Sequence, residues 1–95
     1  VIVELYSSAF CGACHVARAV LEHAVELVPA AELREYDVAF RPDEAEAEDI
    51  RSTPTVVVRT ADGRAVFRAE GAPSLPQALA ALARALPDPA PDVAP

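Results

Sequence analysis

The chain has 95 residues, 53% of them apolar, and a formal net charge of −7. That length suits one small domain with a real core but a thin stability margin. Every cation is an arginine and none cluster, which excludes a phosphate-binding surface and with it a nucleic-acid partner. No apolar run approaches the ~20 residues that span a bilayer, so no membrane helix is expected.

The acidic balance reads as a soluble chain. The two cysteines are too few and too close together for a structural disulfide framework. There is no methionine, and Val1 already opens a strand-like run. No targeting segment is therefore visible; the reading is that the initiator was removed, with a trimmed signal peptide left open.

Val1 to Tyr6 (VIVELY) is apolar on both faces except at Glu4, the pattern of a central strand covered on both sides. Ser7, Ser8 and Ala9 form a short loop, with Ser8 or the residues just after it as candidate helix caps. From Gly12 to Val28 the apolar residues recur at helical spacing. Ala13, Val16, Ala17, Val20, Leu21, Ala24, Leu27 and Val28 predict one buried stripe. His15, Arg18, Glu22 and Glu26 lie opposite, with Arg18 placed to pair with Glu22. Pro29 ends the helix.

Leu33 to Val38 alternates apolar and polar like a half-buried strand, with Tyr36 on its inner face. Asp43 to Arg51 predicts a short acidic helix. Its early carboxylates suit the positive end of the helix dipole, and the charge run is read as a solvated face. Val56 to Arg59 is a strand, Asp62-Gly63 a hairpin signal, and Arg64 to Ala69 the returning strand. Arg64 and Arg68 place charge on a sheet edge.

Glu70 to Pro73 is a turn. Ser74 and Gln77 match a capping box, Pro76 is tolerated in the first turn, and Leu75, Leu79, Leu82 and Leu86 predict the buried stripe of the last helix. Pro87 to Pro95 has a proline at nearly every second position. It reads as an extended, disordered tail, which leaves residues 1–86 as the domain.

The order β-α-β-α-β-β-α is an α/β arrangement. The first two strands, joined through a helix, are expected to be parallel with a right-handed crossover. The last two form an antiparallel hairpin. The expectation is a four-stranded mixed sheet with helices on both faces.

The chemistry-bearing stretch is Phe10-Cys11-Gly12-Ala13-Cys14-His15. A redox dithiol needs one exposed, low-pKa thiol and one resolving thiol within reach. Two intervening residues on a first helical turn let the sulfurs meet, and the free N–H groups and dipole of the helix N-terminus stabilise a thiolate. Cys11, at that terminus, is the candidate attacking group. Cys14, one turn in, is the candidate resolving group. Gly12 and Ala13 are small enough for a substrate chain to approach.

Cys11-Gly12-Ala13-Cys14 after Val3-Glu4-Leu5-Tyr6 resembles the thioredoxin superfamily. Thr53-Pro54-Thr55-Val56-Val57-Val58 resembles its cis-proline loop and following strand, and Gly71-Ala72-Pro73-Ser74 its glycine turn before the last helix. The resemblance covers residues 1–86 and is nearest to small, glutaredoxin-sized thioredoxins. It implies a thioredoxin-like fold and a cytoplasmic, monomeric thiol-disulfide oxidoreductase without a cofactor, acting through Cys11 and Cys14. The implied partners are disulfide-containing proteins and a thioredoxin-reductase-like enzyme or small thiol. Pro54 would be cis, and the Thr53 backbone would pair with an extended substrate segment. Phe10, Gly71 and Ala72 would complete the substrate surface.

Several positions depart from the commonest form. Phe10 replaces the tryptophan found in many thioredoxins, Ala13 replaces the usual proline, and both are tuning positions for the redox potential. The glutathione-binding run of glutaredoxins has no match. Glu4 has two readings, a buried proton acceptor beneath the dithiol or a solvated or salt-bridged strand residue, and the second is preferred. His15 completes a C-x-x-C-H pattern, which also occurs at haem attachment sites. Haem and zinc are the competing readings, but only His23 remains as a further imidazole ligand. His15 is read instead as an exposed group near the dithiol that favours thiolate when protonated. A glutathione-linked glutaredoxin and a disulfide oxidase or isomerase are the milder alternatives.

Overall fold

The computed structural model describes residues 1–87. The elements are β1 (Ile2–Ser7), α1 (Gly12–Leu27), β2 (Glu32–Asp37), α2 (Pro42–Ala47), β3 (Thr55–Arg59), β4 (Ala65–Glu70) and α3 (Leu75–Ala85). They form one sheet in the order β2-β1-β3-β4. β1 runs parallel to β2 and antiparallel to β3, and β3 pairs antiparallel with β4. The architecture is thus the expected four-stranded mixed sheet. Residues 88–95, which carry most of the expected proline-rich tail, lie outside the described residues.

Side chains alternate across a strand, so β1 and β3 each serve two faces. Val3, Leu5, Val56 and Val58 pack with Ala17, Leu21 and Ala24 of α1 and with Ala78, Ala81, Leu82 and Ala85 of α3. Fully burying each of the larger aliphatic side chains stabilises the fold by about 1.5–3 kcal/mol. Glu4, Tyr6, Val57 and Arg59 point the other way, where Glu48, just past α2, meets Arg59. Tyr6 stacks on Tyr36 there, with ring centroids 5.3 Å apart.

The helical stripes differ from the sequence expectation in an informative way. On α1 the buried residues are Cys14, Ala17, Leu21 and Ala24, while Ala13, Val16 and Leu27 are exposed. Cys14 acts as a small buried hydrophobe and sets the frame one residue later than Ala13 would. On α3 the buried set is Ala78, Ala81, Leu82 and Ala85. Leu75, Leu79 and Leu86 are only half-buried. The larger leucines suggested the stripe, but α1 and α3 pack against each other, and close approach favours alanine at the seam.

α2 is also shorter than the acidic run suggested, because Asp49 takes a left-handed backbone with φ 53°. A residue in that conformation ends a helix. Arg68 of β4 donates to the carbonyls of Glu48 and Asp49 at 2.6 and 2.7 Å, satisfying acceptors left open there. At the start of α3 the Ser74–Gln77 capping box is formed, with both reciprocal hydrogen bonds present. Among the described residues no helix is long and apolar enough to cross a membrane.

Candidate functional site

The loop from Ser8 to Cys11 carries the chain out of β1 into α1. Phe10 turns it through a left-handed backbone, φ 57°, and leaves its ring fully exposed. Cys11 is the N-cap of α1: its sulfur accepts the Cys14 N–H at 3.0 Å. Of the candidate caps, Ser8 is engaged elsewhere, because its hydroxyl meets that of Thr53 at 2.7 Å, and the cap falls to a residue just after it.

Cys11 and Cys14 form a disulfide, with their Cα atoms 5.2 Å apart. Three residues along a helix is nearly one turn, so both sulfurs come to the same side. Cys14 is 1% exposed, whereas Cys11 is only half-buried. No acidic residue occupies the first turn of α1. On reduction, the uncompensated N–H groups and helix dipole favour a thiolate on Cys11.

The Thr53–Pro54 peptide bond is cis, and the Thr53 carbonyl oxygen lies 3.9 Å from the Cys11 sulfur. Three contacts hold this loop. The Ser8–Thr53 hydroxyl pair ties it to the dithiol loop. Thr55 donates its hydroxyl to the Ser52 carbonyl at 2.7 Å. Gly71 N–H donates to the Pro54 carbonyl at 2.8 Å. Gly71 has φ 92°, and an added Cβ would meet no atom within 4 Å, so its backbone angle rather than space calls for glycine. Ala72 is exposed beside it. Gly12 and Ala13 are exposed on the first turn of α1.

Glu4 is not brought to the dithiol. Arg59 donates to its carboxylate at 2.9 Å, and the Tyr6 hydroxyl donates to the same oxygen at 3.4 Å. Burial is the first cause, and the charges of Glu4 and Glu48 the next, that push the Tyr6 phenol above its ordinary range and keep it a donor.

His15 is exposed, with Nδ1 3.3 Å from an Arg18 guanidinium nitrogen. Arg18 does not pair with Glu22 as the helix spacing suggested. It forks onto Glu35 of β2 through two 2.7 Å bonds, a geometry that suits a planar guanidinium better than a helical neighbour does. The buried Ser7 hydroxyl donates to Glu35 at 2.7 Å. These bonds, Arg18's first, hold the Glu35 carboxyl below its usual range. Asp37, paired with Ser7 across the parallel strands, accepts the Ala39 N–H at 2.8 Å.

These groups border a cleft of about 510 Å³ that also exposes Cys11, Gly12 and Phe10. Ser7, Glu35 and Asp37 were not singled out from sequence. One signal was available: ligand crevices in α/β sheets lie at the carboxyl ends of parallel strands, where both strands turn polar on the α1 face. Among the described residues no three His, Cys, Asp or Glu side chains group to hold a metal ion.

No protein-family model and no curated protein sequence matches the chain. Solved structures do. Thioredoxin-2 of a malaria parasite, described as a component of the parasite's protein secretion machinery, superposes with a TM-score of 0.80 at 17% identity, covering 87% of this chain and 81% of that one. Fasciola hepatica thioredoxin gives 0.77 at 24% identity, covering 90% and 80%. Oxidised mitochondrial thioredoxin 3 from Saccharomyces cerevisiae gives 0.70 at 24%, covering 87% and 73%. Likeness at these identities speaks to architecture alone: the chain has the thioredoxin fold.

Proposed function

We propose that this protein is a thiol-disulfide oxidoreductase that reduces protein disulfides through Cys11 and Cys14. The observation that carries the reading is a half-exposed Cys11 capping α1, with Cys14 buried one turn behind it and the Thr53 carbonyl 3.9 Å away.

In the reduced protein the Cys11 thiolate attacks one sulfur of a substrate disulfide. A Cys11–substrate disulfide forms, and the other substrate sulfur leaves as a thiolate. The Cys14 thiol gives up its proton and attacks the Cys11 sulfur. The second substrate sulfur then leaves, and the Cys11–Cys14 disulfide remains. Two electrons have passed to the substrate, whose two sulfurs take up protons. A reductase or a low-molecular-weight thiol must return two electrons before the next cycle.

Among the described residues neither backbone polar group of Thr53 has a backbone partner. This supports strand-like pairing of an extended substrate at Thr53, beside the exposed Phe10, Gly12 and Ala13. Pro54, with Gly71 and Ala72, shapes that loop. We place the protein in the cytoplasm, where thiols are kept reduced, as a protein-disulfide reductase requires.

The test is reduction of a model disulfide protein, with recycling compared between thioredoxin reductase and glutathione. Cys11→Ser abolishes turnover. Cys14→Ser accumulates the mixed disulfide, seen as a mass adduct on Cys11. Unchanged turnover in Cys11→Ser overturns the reading. The equilibrium potential of the pair sets the direction of electron flow on a scale of roughly −270 to −120 mV for dithiol proteins.

A further inference from the structure

The cleft beside Cys11 has more chemistry than disulfide exchange alone requires. Its charges do not balance. Arg18 and Glu35 satisfy each other in a bidentate pair, so neither offers a free charge to a substrate. Asp37 has no cationic partner among the described residues; one of its oxygens accepts the Ala39 N–H. The Phe10 ring stands fully exposed at the same cleft. An apolar face and an unpaired carboxylate bordering one cleft suit a side chain with a hydrocarbon stem and a cationic head, as in arginine or lysine.

We propose that this cleft selects disulfide substrates carrying a cationic residue adjacent to the attacked half-cystine. The stem of that residue lies along Phe10 and its head faces Asp37. With one flank of the attacked half-cystine paired at Thr53, the residue on its other flank reaches this cleft, which Cys11 shares with Phe10 and Asp37. The inference rests on the disulfide-reductase reading and specifies its substrate class.

The test uses three peptides with one intramolecular disulfide, identical except for arginine, glutamine or glutamate next to the half-cystines. Reduction is followed at steady state, with the electron donor that recycles the protein supplied in excess, in the parent, in Asp37→Asn and in Glu26→Gln. Glu26 is exposed near the far end of α1, so its variant makes the same change in net charge away from the cleft. One partly exposed ion pair corresponds to about a two- to fivefold preference in kcat/KM for arginine over glutamate. That preference should collapse towards one in Asp37→Asn, persist in Glu26→Gln, and act mainly through KM. Asp37→Ser, which keeps a turn-capping oxygen, serves if the Asn variant folds poorly.

A ratio of one in the parent overturns the proposal while leaving the reductase reading intact. An equal fall in the Asp37 and Glu26 variants also overturns it, since that is steering by overall charge. Failure to reduce any of the peptides removes the reductase reading and this inference together.

Discussion

Two arginine–carboxylate clusters sit on opposite faces of the same sheet, and they serve the molecule differently. Behind the sheet, Arg59 of β3 bridges Glu4 of β1 and Glu48 beyond α2, and the Tyr6 hydroxyl donates to Glu4. The Arg59 and Glu4 side chains are 17% and 12% exposed. On the α1 face, Arg18 holds Glu35 with both side chains 32% exposed, at the border of the cleft that contains Cys11. The chemical pairing is the same in both places. The solvent differs, and with it the energy at stake: a desolvated ion cannot fall back on water when its partner is removed.

The largest effect should therefore come from Arg59. Arg59→Met leaves the Glu4 carboxylate, 12% exposed, without its cation and with little water, and stability in urea should fall by about 2–3 kcal/mol. Disulfide reduction by the folded variant should keep the parent's rate, because the cluster lies across the sheet from the cleft. A loss below about 0.5 kcal/mol, the level of an ordinary surface pair, would erase the contrast between the two clusters. Tyr6→Phe probes the same cluster more gently. The lost hydroxyl leaves a Glu4 oxygen still held by Arg59, and the cost should be about 0.5–1 kcal/mol by the same unfolding measurement.

These clusters also mark where the sequence could be read and where it could not. The element order, the parallel first pair of strands and the position of the dithiol follow from local signals: the apolar Val1–Tyr6 run, helical spacing after Gly12, Asp62-Gly63 and the Ser74–Gln77 box. What failed was information carried between elements. Arg18 has a plausible partner one turn away in Glu22, and nothing local says that Glu35 of another strand offers better geometry. The leucines of α3 looked like its core stripe because hydrophobicity is visible in sequence, whereas the closeness of α1, which selects alanine, is not. Glu4 drew attention as a charge in an apolar strand. Its partner Arg59 is 55 residues away and was unreadable until the register of β1 against β3 placed them together. Asp37 and Glu35 looked like ordinary polar positions of a half-buried strand, and only strand pairing turns them into one wall of a cleft.

The smallest expected effect belongs to Glu35, and its sign with pH distinguishes it from a simple packing contact. Glu35→Gln keeps an oxygen for the Ser7 hydroxyl but removes the charge that Arg18 holds. The folded protein depresses the Glu35 carboxyl below the ordinary value of 4.5, chiefly through the Arg18 hydrogen bonds. A depressed folded value contributes stability that is fully present above the unfolded value and lost as pH falls through the folded one. At pH 7 the parent should exceed Glu35→Gln by a few tenths to about 1 kcal/mol, screened in part because the pair is partly open to water. The gap should hold down to about pH 5, shrink below pH 4.5, and vanish once both states are protonated. Urea unfolding of the two proteins across that range measures it. A gap that persists in full at the acid end would mean that Glu35 contributes through shape, and the cleft wall would then be a packing feature rather than an ionic one.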